Sequence, residues 1–187
     1  DGARDAIADT SGVHPTSASA HLYTAQTLIR LELEDAAATE LTRALAIDPA
    51  APQAHVLLGQ MAAHRGNLDE AVALFRKAIA LNPLDAMAMY RLGEALSRQQ
   101  KWVEAMVVLQ QSLWINPYFS GPYIVLARGY LNQDQPAAAE GLLRRAVEYD
   151  PNNRTAHYLL GQALQTFFPQ LLKEMYESIH GIKGMFV

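Results

Sequence analysis

The sequence contains no cysteine, no long apolar run and no excess of basic charge. The lack of cysteine excludes a disulfide framework and thiolate metal sites, but it leaves the compartment open. Although 50% of the residues are hydrophobic, no run is long enough to span a bilayer, and we see no signal peptide; we therefore expect a soluble protein of the cytoplasm or periplasm, without membrane insertion. The net charge of -4 argues against a nucleic-acid partner, because such a surface needs a basic stripe.

What the sequence does contain is a repeat. Its markers are five prolines spaced 34 residues apart: Pro15, Pro49, Pro83, Pro117 and Pro151. A fixed period of this length is the signature of a repeat architecture, so it has to be interpreted before any single motif. We number positions within each 34-residue unit so that residues 18, 52, 86, 120 and 154 are position 1.

One unit, residues 52–85, shows how the repeat is built. Its apolar residues recur at three- and four-residue intervals in two runs, 54–63 and 71–81, which predicts two amphipathic helices. Gly66 lies between them, and glycine tolerates the positive φ that ends a helix. Pro83 stops the second helix because it has no N–H to donate. Each unit is therefore predicted to be a helical hairpin.

Small residues at two positions of the unit allow the paired helices to approach closely. Position 8 carries Ala25, Gly59, Gly93, Ala127 and Gly161. Position 20 carries Ala37, Ala71, Ala105 and Ala139. We expect that neither position accepts a large side chain, and that larger residues such as Phe75 and Leu143 fill the space beside them.

With these features, residues 18 to 164 resemble the tetratricopeptide repeat family. The second unit carries most of the family pattern: Leu58, Gly59, Ala71, Phe75, Ala78 and Pro83. The chain departs from the pattern at Ser112, where the family has alanine, and at position 4, where His21, His55 and His157 replace the usual tryptophan. The resemblance implies an all-α, right-handed superhelical solenoid whose first helices line a concave face.

The period also predicts the domain organisation. Residues 1–17 fit the second helix of a preceding, truncated unit, which would make the chain a fragment, and residues 18–166 form four full repeats plus the first helix of a fifth. Residues 167–187 lose the phase and are predicted to be a divergent helix, with Pro169 in its first turn and Gly181 as its stop, followed by an apolar tail. We interpret this segment as a cap; a fused peptide or a groove ligand are the alternatives.

The sequence shows no arrangement of residues that predicts catalysis. No cysteine is present, and the serines lack the context of an activated nucleophile. His21 and His55 are equivalent residues of adjacent units, on the order of 10 Å apart, whereas ligands of one zinc ion each lie about 2 Å from it. We therefore predict no enzyme activity, no metal and no cofactor, and we interpret His21, His55 and His157 as packing residues that keep one polar tip in water.

The resemblance implies that positions 2, 5, 9, 12 and 13 face a groove that binds a partner, and we take as candidates the residues at positions 5 and 9 together with nearby arginines. These candidate residues are Leu22, Gln26, Arg30, Val56, Gln60, Tyr90, Arg91, Glu94, Arg98, Ile124, Arg128, Tyr158 and Gln162. Four of them are arginines and Glu94 is the one acidic member, so we expect a positive lining. A protein or peptide partner with apolar anchors and some acidic residues would match it.

The main functional hypothesis is therefore a non-enzymatic scaffold that holds a peptide segment of a partner protein in this groove. Two alternatives remain open. The chain could be a regulatory or targeting region of a larger enzyme, because such repeats are commonly attached to catalytic domains. It could also be a self-assembly module that forms a homo-oligomer through its C-terminal tail.

Overall fold

The computed structural model describes the backbone of residues 17–183 and the side chains of residues 17–166, 168 and 169. Every regular element in this part is an α-helix. The helices are α1 (Ala18–Arg30), α2 (Glu34–Ile47), α3 (Pro52–His64), α4 (Leu68–Leu81), α5 (Ala86–Arg98), α6 (Trp102–Ile115), α7 (Ser120–Asn132), α8 (Pro136–Tyr149) and α9 (Arg154–Lys183). Odd-numbered helices are the first helices of successive repeats, so the predicted all-α helical-repeat fold is confirmed.

The turn inside each full repeat has the same geometry. Its fifteenth residue has a positive φ in all four cases, namely Glu32 (59°), Gly66 (86°), Gln100 (62°) and Asp134 (57°). In the second repeat the Gly66 N–H donates to the Ala63 carbonyl and the Asn67 N–H donates to the Ala62 carbonyl. These two bonds define a Schellman motif, which satisfies carbonyls that the end of the first helix leaves open.

The four described loops between repeats share one sequence feature, an Asp or Asn directly before the proline. In three of them its side-chain oxygen accepts a hydrogen bond from the backbone two residues later, as Asn82 Oδ1 does from the Leu84 N–H at 3.3 Å. Asp48 and Asn116 make the equivalent bonds. Asp85 then caps α5 by accepting from the Ala88 N–H at 2.9 Å. These local bonds end one hairpin and begin the next.

The chain divides into two compact units, residues 1–108 and residues 109–187. In unit 1, α1 packs on α2, α3 on α4 and α4 on α5, and the first helices α1, α3 and α5 also contact one another in sequence. One buried core cluster of unit 1 is centred on Leu41, Leu57 and Met61. In unit 2, α7 packs on α8 and α8 on α9, around a buried cluster that includes Tyr123 and Leu143.

The small residues lie where the period predicted them, with one exception. Ala37, Ala71, Ala105 and Ala139 are fully buried. A Cβ added to Gly59 would lie 2.7 Å from Phe75 Cε1, so this glycine is required by packing. Gly161 is different, because a Cβ there would meet nothing within 4 Å. The expectation that position 8 must be small is therefore wrong for Gly161, since α9 is the last helix in the described residues and no second helix there follows it.

Helix α9 corrects a second expectation. It runs without interruption from Arg154 to Lys183, so Pro169 lies inside the helix and Gly181 does not stop it. A proline inside a helix leaves the carbonyl four residues before it without a partner, here that of Gln165. Gln165 and Pro169 are both exposed, so water can reach that carbonyl. The helix predicted for residues 1–17 lies outside the described residues, apart from Ser17, which caps α1.

None of the helices in the described part combines the length and the apolar composition that crossing a bilayer requires.

Candidate binding groove

The first helices of unit 1 form the walls of a cleft of about 920 Å³, here called the loop cleft. Its lining comes from α1, α3, the start of α5 and the loops between repeats: Leu22, Tyr23, Gln26, Ile29, Arg30, Asp48, Ala51, Pro52, Gln53, Val56, Leu57, Gln60, Asn82, Asp85 and Met87. Apolar side chains alternate there with amides. Such a surface suits a segment that inserts apolar side chains and hydrogen-bonds through its backbone.

A second cleft of about 810 Å³ lies towards the turns of the same helices and is here called the turn cleft. Its lining residues are Ile29, Glu32, Glu34, Gln60, Met61, Ala63, His64, Phe75, Arg91, Glu94, Ala95 and Arg98. Ile29 and Gln60 line both clefts, so the two adjoin. We call them together the unit-1 groove; it follows the first helices from the inter-repeat loops to the intra-repeat turns.

Eight of the nine candidate residues predicted in unit 1 line this groove. Leu22, Gln26, Arg30, Val56 and Gln60 line the loop cleft, and Gln60, Arg91, Glu94 and Arg98 line the turn cleft. The ninth, Tyr90, is half-buried and lines neither cleft. The Arg91 guanidinium lies over its ring, with Cζ 5.2 Å from the ring centroid. Tyr90 therefore orients Arg91 at the groove wall.

The predicted apolar row at position 5 is less accessible than expected. Val56 and Ile124 are only 7% and 8% exposed, and Ile124 belongs to the core of unit 2. Val56 and Ile124 have short β-branched side chains, which their neighbours cover almost completely. The longer side chain of Tyr158 in unit 2 reaches the surface and is 72% exposed. Arg128 and Gln162 of unit 2 are exposed as well.

The prediction that the groove lining is positively charged is wrong for unit 1. Five carboxylates line its groove against three guanidinium groups, because Glu32, Glu34, Asp48 and Asp85 join Glu94. These four come from turns and loops or the start of a second helix, which an inspection of first helices alone does not include. The groove therefore presents both signs of charge with a surplus of carboxylates.

Several of these charges are held in place by neighbours. Arg91 Nη1 donates to Glu94 Oε2 at 3.1 Å, and Arg98 Nη1 donates to the Ala63 carbonyl at 2.9 Å. Glu34 Oε2 accepts from Arg65 Nε at 2.7 Å, and this bond, more than the contact with His64, lowers the pKa of the Glu34 carboxyl. Glu34 and Glu94, two of the three carboxylates that line the turn cleft, are thus already engaged within the protein.

By contrast, the guanidinium group of Arg30 has no ion pair or hydrogen bond within the described part of the chain, and the side chain is exposed. An unpaired guanidinium at the border of the loop cleft is available to a partner's carboxylate or carbonyl groups. Arg30 is therefore the groove cation that best matches the predicted acidic residue of a partner.

Sequence reasoning missed two exposed apolar residues of the loop cleft. Tyr23 is 47% exposed and Met87 is 43% exposed. Met87 is at position 2, which the resemblance places on the groove, so its position was a usable signal. Tyr23 is at position 6, directly after the predicted groove residue Leu22 in α1. These two residues are the most exposed large apolar side chains that line the loop cleft.

The histidines differ from one another. His157 Nε2 lies 2.9 Å from the Pro151 carbonyl and remains exposed. His21 Nδ1 lies 2.6 Å from Glu40 Oε2, a buried carboxylate that also accepts from Arg43. His55 is only 3% exposed and neither ring nitrogen has a hydrogen-bond partner, so its predicted wet tip is wrong. Burial, more than the nearby Lys77 charge, lowers the pKa of His55.

Within the part of the chain that the structure describes, no three His, Asp or Glu side chains are grouped so that they could hold a metal ion.

Paired helices with a groove along their first members define a helical-repeat protein of the scaffold class. The chain belongs to the tetratricopeptide repeat family, whose sequence profile matches residues 1–52, 35–83, 65–117 and 124–165. Members of this family bind protein partners and are in general non-catalytic scaffolds for protein–protein interaction. No curated protein is significantly similar to the chain in sequence.

Solved structures show the same fold at low sequence identity. The hetero-tetramer of Cut9 and Hcn1 from the APC/C has a TM-score of 0.73 at 22% identity over 79% of this chain, which spans only 30% of that longer protein. PilF of Pseudomonas aeruginosa has a TM-score of 0.75 at 20% identity, covering 86% of this chain and 73% of its own. MamA of Desulfovibrio magneticus RS-1 has a TM-score of 0.69 at 22% identity, covering 90% and 96%.

Proposed function

We propose that the chain is a non-enzymatic scaffold that holds a peptide segment of a partner protein in the unit-1 groove. The observation that carries this proposal is the loop cleft, where exposed Tyr23 and Met87 stand beside the amides of Gln26 and Gln60. Apolar anchors that are surrounded by hydrogen-bonding groups are the usual composition of a protein-binding surface.

The charges of the groove limit the types of residue that a bound peptide segment can carry. Apolar side chains fit against Tyr23 and Met87, and one acidic residue fits beside Arg30. Because the groove has more carboxylates than guanidinium groups, the segment also needs basic or uncharged polar residues. A strongly acidic segment is disfavoured by like-charge repulsion. Among proteins of this fold, the Cut9 structure is itself a complex with another protein, Hcn1.

The experiment compares two full-length variants with the wild-type chain as baits. The groove variant combines Tyr23→Glu and Met87→Glu, which place carboxylates on exposed groove residues without touching the core. The control variant is Val103→Glu, because Val103 is 80% exposed on a second helix and lines neither cleft. Proteins captured by the wild type are identified by mass spectrometry, and their affinities are then measured by calorimetry.

We expect the groove variant to lose at least tenfold in affinity for the captured partner and the control variant to bind as the wild type does. Circular dichroism checks that all three chains have equal helicity. A partner that binds both variants with wild-type affinity contradicts the groove assignment.

A further inference from the structure

Helix α9 is more than twice as long as any other described helix, with 30 residues against 13 or 14. The described residues of α9 that join the core of unit 2 are Ala156, Leu159 and Ala163, all within its first ten residues. Residues 167–183, here called the α9 extension, continue the helix beyond the length of a repeat. Its 17 residues span about 25 Å, close to the roughly 20 Å of each first helix along the groove.

The sequence of the α9 extension has the pattern of a helix that packs on a partner. Five of its apolar residues follow at intervals of one, three and four: Leu171, Leu172, Met175, Tyr176 and Ile179. An isolated helix of this length is marginal in water, because most helical stability comes from packing an apolar face. Recognition of such a helix in an apolar groove is a recurrent mode of binding.

The charges of the two surfaces are complementary as well. The groove has carboxylates at both of its ends and the unpaired Arg30 at its border. The extension carries Lys173 and Lys183, ten residues or about 15 Å apart along a helix, with Glu174 and Glu177 between them. Two separated cations and intervening carboxylates match a groove of this mixed charge better than a purely acidic segment does.

We propose that the α9 extension of one copy of the chain docks in the unit-1 groove of a second copy. This inference rests on the proposed function, because it assigns an occupant to the same groove. The interface is heterologous, with different surfaces on the two copies, so each docked copy still offers a free groove or a free extension. Assembly therefore continues with concentration unless the copies close into a ring.

The test uses three full-length chains in sedimentation velocity: the wild type, the groove variant defined above, and an extension variant with Leu172→Glu and Met175→Glu. The average mass of the wild type should rise with concentration, and each variant alone should stay a monomer. An equimolar mixture of the two variants should form a dimer and nothing larger. Only one pairing remains intact in the mixture, between the extension of the groove variant and the groove of the extension variant.

Other outcomes overturn the inference. A wild-type chain that stays monomeric has no docked second copy, and a groove variant that still assembles uses another surface, such as pairing between two α9 extensions. The Val103→Glu chain should assemble as the wild type does. Partner capture separates this inference from the proposed function: if assembly fails while the groove variant loses its captured partner, the groove binds partners and α9 is not one of them.

Discussion

In two of the repeats, different side chains at position 4 form a hydrogen bond with the equivalent backbone carbonyl. The carbonyl of the preceding proline accepts a hydrogen bond from Tyr123 Oη in one repeat and from His157 Nε2 in another, both at 2.9 Å. His55 occupies the equivalent place beside Pro49 but makes no such bond, and it is buried. A buried imidazole without partners is costly to ionise, so His55 remains neutral in the folded chain near neutral pH.

This burial predicts a dependence of stability on pH. The pKa of His55 lies below its ordinary 6.5 in the folded state, so below pH 6.5 the unfolded chain binds a proton that the folded chain does not. The free energy of unfolding should therefore fall as the pH drops through 6.5 towards the lowered pKa. Methionine is a suitable replacement because position 4 of the third repeat is Met89. Between about pH 7.5 and 5.5, the urea midpoint of a His55→Met variant should change less than that of the wild type. Equal slopes for the two chains would show that His55 is not responsible.

Gly59 gives a prediction about packing. In a Gly59→Ala variant the new methyl group would lie 2.7 Å from the ring of Phe75, which is 1% exposed. We expect a loss of about 1–3 kcal/mol in the free energy of unfolding, measured by urea denaturation. Gly141→Ala is the control, because a Cβ there meets nothing within 4 Å in an exposed helix and should stabilise by about 0.5–1 kcal/mol. A loss at both sites would point to a cause other than the Phe75 contact.

Residue identity alone predicted the small positions but not the polar partners. The burial of Ala71 and Ala105 follows from spacing, because a 34-residue period fixes which side of a helix meets its neighbour. The pairing of His21 with Glu40 could not be predicted in this way. It joins residues of two helices, and its formation depends on side-chain rotamers rather than on the period.

In the turns within the repeats, glycine did not predict which residues have a positive φ. All four intra-repeat turns have a residue of positive φ, yet only Gly66 is a glycine. The other three positions are occupied by Glu32, Gln100 and Asp134, whose Cβ atoms make this conformation unfavourable by about 1–2 kcal/mol. The Schellman bonds and the packing of both flanking helices therefore hold these residues in place.

These turns supply a paired prediction. Glu32→Gly relieves an unfavourable backbone conformation in the folded chain, but it also raises the conformational entropy of the unfolded chain. The net effect should be a rise of about 0.5–1 kcal/mol in the free energy of unfolding. Gly66→Ala should lower it by about 1 kcal/mol at the matching position. Urea denaturation followed by circular dichroism measures both. A loss of stability in both variants would mean that the Glu32 side chain makes a contact worth more than the backbone strain.

The ends of helices were predicted correctly where a loop motif marks them and incorrectly where only one residue did. Pro83 stops α4 together with Asn82, whose side chain bonds the following backbone. Pro169 follows Phe168 instead of an Asp or Asn, and the helix continues through it despite the loss of one hydrogen bond. A proline therefore ends a helix in this chain when the residue before it supplies an alternative turn.

At the scale of the molecule, the family resemblance predicted which first-helix residues line a groove, but the positive charge predicted for that groove was wrong in unit 1. First-helix positions follow from the period, which is why eight predicted residues line the unit-1 groove. Asp48, Asp85 and Glu32 reach the same groove from loops and turns, whose side chains have no fixed direction in a helical pattern. The charge of the groove thus depends on the loops and turns, whose side-chain directions the repeat period does not predict.

The two compact units lead to a prediction about local stability. Leu41 and Leu143 occupy position 24 of the first and fourth repeats, and both are fully buried, the first in unit 1 and the second in unit 2. Truncation of either to alanine should lower stability by about 2–5 kcal/mol. Repeats depend mainly on their nearest neighbours, so the loss should remain in the unit that carries the substitution.

Hydrogen exchange with mass spectrometry measures this difference by segment. Leu143→Ala should reduce protection in α7 and α8 while α1 and α2 keep theirs, and Leu41→Ala should give the reverse pattern. The two chains are matched in residue type, repeat position and burial, so they differ only in the unit affected. If both variants expose all helices to the same extent, the two units unfold as one cooperative structure, and binding at the unit-1 groove would then stabilise the whole chain.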